Sequence, residues 1–473
     1  MHCRVGYYWI WGLKKALSSS LLVCGKDWRF KNCVHFQDRL LNSGRRRNMT
    51  SIPFLSAEEN EVWKEIINFE NLNLNKGKGR RGKPSQEEIE KLRNHRTRKK
   101  EFFESLSEEK RGKLEEKKKT KQSSGNRNKD KIEDDYKKQL LALKKFAIKD
   151  QELVDIGINL HERVSYEKLS KYLERAFAAG VTRVVLTGCS VSSSLKGAQV
   201  CNKWYTSGDY LKFPVKLYHT VGIHPHDAKT LVTSDNDSVI NERKWKELQD
   251  IAKSAYMVSL GECGLDYDRM FSPMEAQKLV FRKQVRVAAE MDKALFVHLR
   301  DRDSVKGPPL GALRDAAAIL ENQIDPKLDP SRVCIHCFTG NESELKSLST
   351  KGYKVGFTGY LGMEKRAVAT GTISALSTAA NLPINQMLIE TDSPFMKPDK
   401  LWFPDDVGLK KGNNEPATMP AVCRALAKVY DNGSFTEEQI AEHTTKNASE
   451  FFQFEKVDKQ ILSILEQPSL QVT

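Results

Sequence analysis

From residue 153 onward the chain alternates short apolar runs with longer amphipathic stretches. The runs occupy 153–160, 183–188, 217–224, 257–265, 294–300, 333–338, 354–360 and 387–391. The stretches between them, such as 165–179, 273–291 and 364–379, repeat apolar residues at helical spacing. Strict alternation of strand and helix predicts a parallel sheet. Eight such units in about 300 residues predict an α/β fold of the (β/α)8 TIM barrel type. A doubly wound open sheet is the alternative, but no glycine-rich phosphate loop follows the first run. Two further helices, near 417–430 and 436–452, close the end of the barrel.

Upstream the pattern is different. Residues 55–72 open with Ser56 and, three positions later, Glu59, the signature of a capping box on a short helix. Residues 76–84 are Lys, Gly, Arg and Pro. From 85 to 145 charged and amide residues dominate, so little surface can be buried to offset ordering entropy. The expected organisation is a basic leader over 1–48, a charged and largely disordered, intermittently helical extension over 49–148, the barrel over 149–456 and a tail over 457–473.

Composition supports that division. Hydrophobic residues make up 39% of the 473, low for a chain that folds throughout, and the net charge is +15. Residues 76–148 carry 25 Lys or Arg against 13 Asp or Glu, and residues 1–48 carry 10 against 2. The barrel region is therefore near neutral, and attraction to a polyanion belongs to the extension. That extension reads as a solvated linker, a nuclear-import signal or a nucleic-acid tether. Nucleus or cytoplasm is the expected compartment. The basic, acid-poor start also has the character of a mitochondrial presequence, with a later start at Met49 as the alternative. No apolar stretch reaches the ~20 residues of a membrane-spanning helix. The nine cysteines are scattered, which suits a reducing compartment. Cys334 and Cys337 have C-x-x-C spacing but lie on an expected strand, where residues three apart face opposite ways.

Polar residues end several of these runs, where barrel enzymes place their active sites. His224 and His226 follow the third run. Glu262 and Asp266 end the fourth, His298, Arg300 and Asp301 the fifth, His336 lies in the sixth, and Glu390 and Asp392 end the eighth. A single strand-end histidine or carboxylate is more often structural. Four such groups on four different strands point to a shared divalent cation, because buried charged and imidazole groups need a partner.

Six blocks then carry a specific resemblance: Asp155-Ile156-Gly157-Ile158-Asn159-Leu160, Val221-Gly222-Ile223-His224-Pro225-His226-Asp227, Gly261-Glu262-Cys263-Gly264-Leu265-Asp266-Tyr267, His336-Cys337-Phe338-Thr339-Gly340, Glu390-Thr391-Asp392-Ser393-Pro394 and Asn414-Glu415-Pro416. In this order and spacing, across roughly 152–453, the chain resembles the TatD-type metal-dependent deoxyribonucleases. The resemblance implies an amidohydrolase-type barrel in which Glu262 bridges two cations and His298, His336 and Asp392 are further ligands. Many members carry His-x-His at the end of the first strand. This chain has Gly157 and Asn159 there, after Asp155, as does the branch named for TatD itself, so one or two metals are expected. Carboxylate and amide oxygens favour Mg or Mn, with Zn as the alternative.

The expected activity is hydrolysis of DNA phosphodiesters, by resemblance in the 3′→5′ exonucleolytic sense. Single-stranded DNA or duplex ends are the expected substrates, and the enzyme is expected to be a monomer. Asp392 is the candidate for holding or deprotonating the attacking water. His224 is the candidate donor to a phosphate oxygen, or completes a metal shell. Arg300 shares strand parity with His298 and is the candidate phosphate contact, with a salt bridge to Asp301 or a neighbouring loop as its structural alternative. Asn414, Glu415, Asp155 and Asn159 are expected to orient ligands. Two other readings stand: a metal hydrolase acting on RNA or aminoacyl-tRNA esters, and a catalytically idle nucleic-acid-binding protein.

Overall fold

The computed structural model describes residues 55–62, 64, 65, 86–233, 236–302, 306–323 and 325–466. The expectations for 1–48, for a start at Met49 and for the 76–84 run lie outside the described residues.

Eight strands form one parallel sheet: β1 (Leu153–Ile158), β2 (Val181–Leu186), β3 (Lys216–Val221), β4 (Met257–Asp266), β5 (Ala294–Arg300), β6 (Val333–Ile335), β7 (Lys354–Phe357) and β8 (Met387–Ile389). Their order in the sheet is their order in the sequence. The sheet closes on itself where Ile158 bridges Ser393 in parallel. The Asp392 N–H donates to Gly157 O (3.0 Å) and the Asn159 N–H to Ser393 O (2.7 Å). This is the expected TIM barrel, and each expected run overlaps one strand. The runs are continuously apolar because both sheet faces are covered: all ten residues of β4 and all six of β1 are buried.

The helices between the strands follow from their ends. Tyr166–Ala178 starts at Ser165, whose Oγ accepts the Lys168 N–H. The stretch expected as one helix over 364–379 is two, Glu364–Ala369 and Thr372–Ala375. They are separated by Gly371 at φ 77°, a conformation that glycine takes without penalty. A two-stranded hairpin, Val232–Thr233 with Asn236–Ile240, was not expected. Helix Glu437–Phe452 packs on β1 and β8, and Phe454–Leu465 follows it. Phe454 stacks on Tyr218 at 4.4 Å, and Asp458 accepts from both Lys216 and Tyr218 at 2.6 Å. Residues 457–465, assigned to the tail by sequence, thus pack on the body.

The chain divides into two compact units, 1–129 and 130–473. In the first, Ser56 and Glu59 make the expected reciprocal cap, at 2.6 and 3.1 Å. Helix Gln86–Ser105 and the start of helix Glu108–Phe146 follow. Phe102 and Leu106 are buried, and Lys110 pairs with Glu59 at 2.8 Å. The second unit begins at Asp130, upstream of the expected boundary. Ala142, Leu143 and Phe146 are buried against Ala178, Ala179, Phe403 and Ala421. Gln139 donates to Val407 O (2.9 Å), and Arg424 donates to Phe146 O (2.8 Å). Within the extension, where intermittent helix was expected, residues 86–105 and 108–146 are helical. The exposed face carries spaced ion pairs such as Lys137–Glu133, while Leu140, Leu143 and Phe146 recur at helical spacing on the other. No helix of the described residues is long and apolar enough to cross a membrane.

Candidate metal centre

Glu262 sits inside β4 with its carboxylate almost wholly buried. Three imidazoles converge on one of its oxygens. His336 Nε2, just past β6, lies 2.8 Å from Glu262 Oε1; His224 Nε2, beyond β3, and His298 Nδ1, on β5, each lie at 3.2 Å. The other oxygen, Oε2, faces the thiol of Cys189 at 3.3 Å. Ligand atoms of His224, Glu262 and His298 all lie within 4.8 Å of one another.

The outer nitrogens of these rings distinguish their roles. His298 Nε2 meets Asp266 Oδ2 at 3.2 Å, and His336 Nδ1 meets Glu390 Oε1 at 3.3 Å. A carboxylate accepts only, so His298 Nε2 carries a proton towards Asp266, and a cation taking the place of the proton shared with Glu262 would meet His298 Nδ1 and His336 Nε2. His224 is the reverse. Its Nδ1 accepts the His226 N–H at 3.1 Å, which leaves the proton on the nitrogen that faces Glu262. Proximity groups His224 with the other donors, but its tautomer makes it a proton donor.

The two carboxylate-backed rings favour the protonated, charged form. Burial disfavours charge on His298 and His336, but Asp266 and Glu262 raise the first, and Glu262 and Glu390 raise the second well above the usual histidine range. Burial lowers His224, so it stays neutral. Burial opposes ionisation of Glu262 too, yet His336 and His224 hold it well below the usual carboxylate range. Asp266 accepts from His226 at 2.7 Å and from His298, and these contacts overcome its burial and keep it ionised.

Asp392 enters from beyond β8. Asn159 Nδ2 donates to its Oδ1 at 2.9 Å. Asp392 and Cys337 both hold a left-handed backbone, φ 49° and 50°, a conformation costing roughly 1–3 kcal/mol that tends to persist at functional sites. Burial pushes the Asp392 carboxyl up to about 8; His336 opposes this and Glu390 adds to it. Asp155 does not touch the ligands. It accepts the Thr391 N–H and hydroxyl, at 2.9 and 2.6 Å, and so fixes the residue before Asp392. Asn414 Nδ2 grips the same loop through Thr391 O (2.8 Å) and Phe395 O (2.6 Å).

Two expected site residues are placed elsewhere. Glu415 makes a two-point pair with Arg175, at 2.7 and 2.6 Å. Arg300 ends β5 with its side chain 42% exposed and binds Asp268 at 2.8 Å. Parity with His298 did not carry it inward, because the buried Asp268 carboxylate lies beside the strand end. The neighbouring-loop alternative is thus the one observed, while Asp301 accepts the N–H groups of Leu310, Gly311 and Ala312. Cys334 is buried within β6, and Cys337 lies beyond the strand, 3.8 Å from Asp392 Oδ2. Sequence reasoning missed Cys189, which directly follows the second run, and the holding roles of Asp266 and Glu390, which lie inside motifs it quoted.

The donor set fits a divalent cation. Three imidazoles crowd one buried carboxylate oxygen, two of them backed by further carboxylates. This mixture of nitrogen and oxygen suits Zn or Mn, with the Asn159–Asp392 side richer in oxygen.

A closed parallel barrel with buried imidazoles and carboxylates at its C-terminal mouth is the architecture of a barrel hydrolase. The family model of TatD-related DNases matches residues 154–453, and the chain belongs to that family. It is 29% identical over 304 residues to the 3′-5′ ssDNA/RNA exonuclease TatD of Citrobacter rodentium, covering 63% of this chain and 97% of that one. To the Shigella flexneri protein of the same name it is 31% identical over 277 residues, covering 58% and 90%. The fold resembles a TatD-family hydrolase structure from Entamoeba histolytica, with a TM-score of 0.50 at 20% identity, covering 64% of this chain and 98% of that one.

Proposed function

We propose that this chain is a metal-dependent nuclease that hydrolyses DNA phosphodiesters from single-stranded 3′ ends. One observation carries the reading: the two oxygens of buried Glu262 face different donor sets, imidazoles on one side and the Cys189–Asn159–Asp392 side on the other. His298 Nδ1, His336 Nε2, Glu262 and Asp392 are the proposed ligands. The names of the bacterial relatives support the polarity and the unpaired strand.

A divalent cation held there would acidify a water and neutralise charge on a phosphoryl oxygen. His224, with its proton on Nε2, donates to a phosphoryl oxygen as negative charge grows. Asp392, ionised once a cation displaces its proton, accepts the proton of the attacking water and returns it to the leaving oxygen. Asp155, Thr391, Asn159 and Asn414 hold Asp392 still. Mg or Mn remains the proposed activating ion on the oxygen-rich side, with Zn on the nitrogen-rich side. We assign the basic extension the role of tether or import signal and the enzyme a monomeric state.

The test is one metal-stripped preparation, reloaded and offered single-stranded DNA, duplex DNA, RNA and aminoacyl-tRNA. Metal-dependent release of mononucleotides from 3′ ends of single strands is expected. Cleavage of RNA or aminoacyl-tRNA alone would move the substrate class. DNA binding without any hydrolysis would leave an idle binding protein.

A further inference from the structure

The thiol of Cys189 has more acceptors than it can serve. It lies 3.3 Å from Glu262 Oε2 and 3.4 Å from Asn159 Oδ1. It carries one proton, so one of these two oxygens is left unsatisfied by it. The spacing is also that of metal ligands. A sulfur at about 2.3 Å and an oxygen at about 2.0–2.2 Å from one tetrahedral cation stand about 3.5 Å apart. The imidazoles that contact Glu262 do so through Oε1, which leaves Oε2 with the thiol. A cation beside Oε2 would meet sulfur, carboxylate oxygen and amide oxygen together. At Gly157, the other first-strand position, a Cβ would lie 2.6 Å from Glu390 Oε2 and 3.0 Å from Phe296 Cζ, so an imidazole there would require the Glu390 carboxylate to move.

We propose that Cys189 is a metal ligand that, with Glu262 Oε2 and Asn159 Oδ1, forms a sulfur-containing position selective for borderline and soft dications. This rests on the reading of Glu262 as a carboxylate shared between two donor sets. Binding forms one sulfur–metal bond, displaces a water from the ion and releases the thiol proton to solvent. Thiolate selects Zn, Co(II) or Cd over Mg, because hard cations prefer oxygen.

Titration of the full-length, metal-stripped protein with Co(II) tests this directly. Wild type is expected to develop thiolate-to-cobalt charge-transfer absorption in the near ultraviolet. Cys337→Ser should keep that band and Cys189→Ser should lose it. Cys189→Ser should also bind Cd at least ~10-fold more weakly while Mg binding is unchanged, in line with the sensitivity of metal sites to their immediate surroundings. Should Cys189→Ser fail to fold, alkylation of wild type is the second measurement. Modification at Cys189, located by mass spectrometry, should slow ~10-fold with Cd and far less with Mg, since only the softer ion engages sulfur. Stoichiometric Co(II) binding without the band, a band that survives Cys189→Ser, or equal protection by Cd and Mg overturns the assignment of Cys189 alone. No Co(II) binding at all would remove the metal reading of the whole site. Loss of nuclease activity on every substrate, with the band intact, would remove the proposed function but not this ligand.

Discussion

The side chain of Asp155, on the first strand, receives both the amide and the hydroxyl of Thr391, just past the last strand, at 2.9 and 2.6 Å. The next residue is Asp392. A buried carboxylate at the start of the barrel thus sets the position of a candidate ligand at its end. Asp155→Ala should leave the Thr391 amide unsatisfied, costing about 1–3 kcal/mol of stability. Metal affinity should fall about 10–100-fold, as when other groups that orient ligands are removed. Denaturant titration and metal competition measure the two effects; a metal affinity equal to wild type would argue against a positioning role.

Glu262→Gln keeps the side chain's size and removes the charge on which the imidazoles converge. Bound metal should be lost and the hydrolytic rate should drop at least ~10²-fold. The fold should survive, as circular dichroism would report. Retention of both metal and rate would show that Glu262 has been misassigned.

The metal-free protein should become less stable as pH rises. Asp392 is pushed up to about 8 and Asp155 to about 7 by burial, against about 4 in the unfolded chain. Between about pH 4 and 8 the folded state therefore binds more protons, and its stability declines through that window as pH rises. Metal affinity should climb over the same range, because the cation competes with the Asp392 proton. Asp392→Asn should flatten the decline in Tm measured in chelator. An identical pH profile in the variant would place the titration elsewhere.

Truncation separates the extension from the barrel. A chain starting at Asp130 should fold and keep its hydrolytic rate. One starting at Lys149 loses buried Leu143 and Phe146, each worth about 1.5–3 kcal/mol, and should melt several degrees lower. Both should show a flatter dependence of DNA affinity on salt than the full chain, by about 0.9 in log–log slope for each duplex phosphate contact removed. An unchanged slope would rule out a tether and leave import as the role of the extension.

The first strand can be altered at only one of its two positions. Asn159→His should be tolerated and shift metal preference toward zinc. Gly157→His should lower Tm, because even a Cβ there approaches Glu390 Oε2 to 2.6 Å and must displace that buried carboxylate. Metal stoichiometry and Tm for the two variants decide the matter, and a stable Gly157→His protein would contradict the packing described.

The barrel was legible because its strands are short and buried on both faces, so each stands out as an apolar run. Glu262, His298, His336 and Asp392 were legible because each sits at or near the end of such a run. What escaped depends on which atom faces which. Spacing cannot show that His298 presents Nδ1 and His336 presents Nε2, or that His224 Nδ1 is taken by a neighbouring amide. Between the two roles weighed for Arg300, the salt bridge to a neighbouring loop is the one formed, since parity predicts a face only while a strand continues and Arg300 is its last residue. Helix Glu108–Phe146 was hidden by its composition, since a few apolar residues near one end suffice to dock it.

The parallel bridge between Ile158 and Ser393 joins the barrel between the two residues, Asn159 and Asp392, that share a hydrogen bond at its mouth. Their partner Glu262 lies midway along the chain. During synthesis, Asn159 and Glu262 emerge long before Asp392, and the ring cannot close until the eighth strand has left the ribosome and found the first. A nascent chain, or one cut before Asp392, therefore lacks both a closed barrel and a complete set of donors, so any hydrolytic power arrives only after the eighth strand.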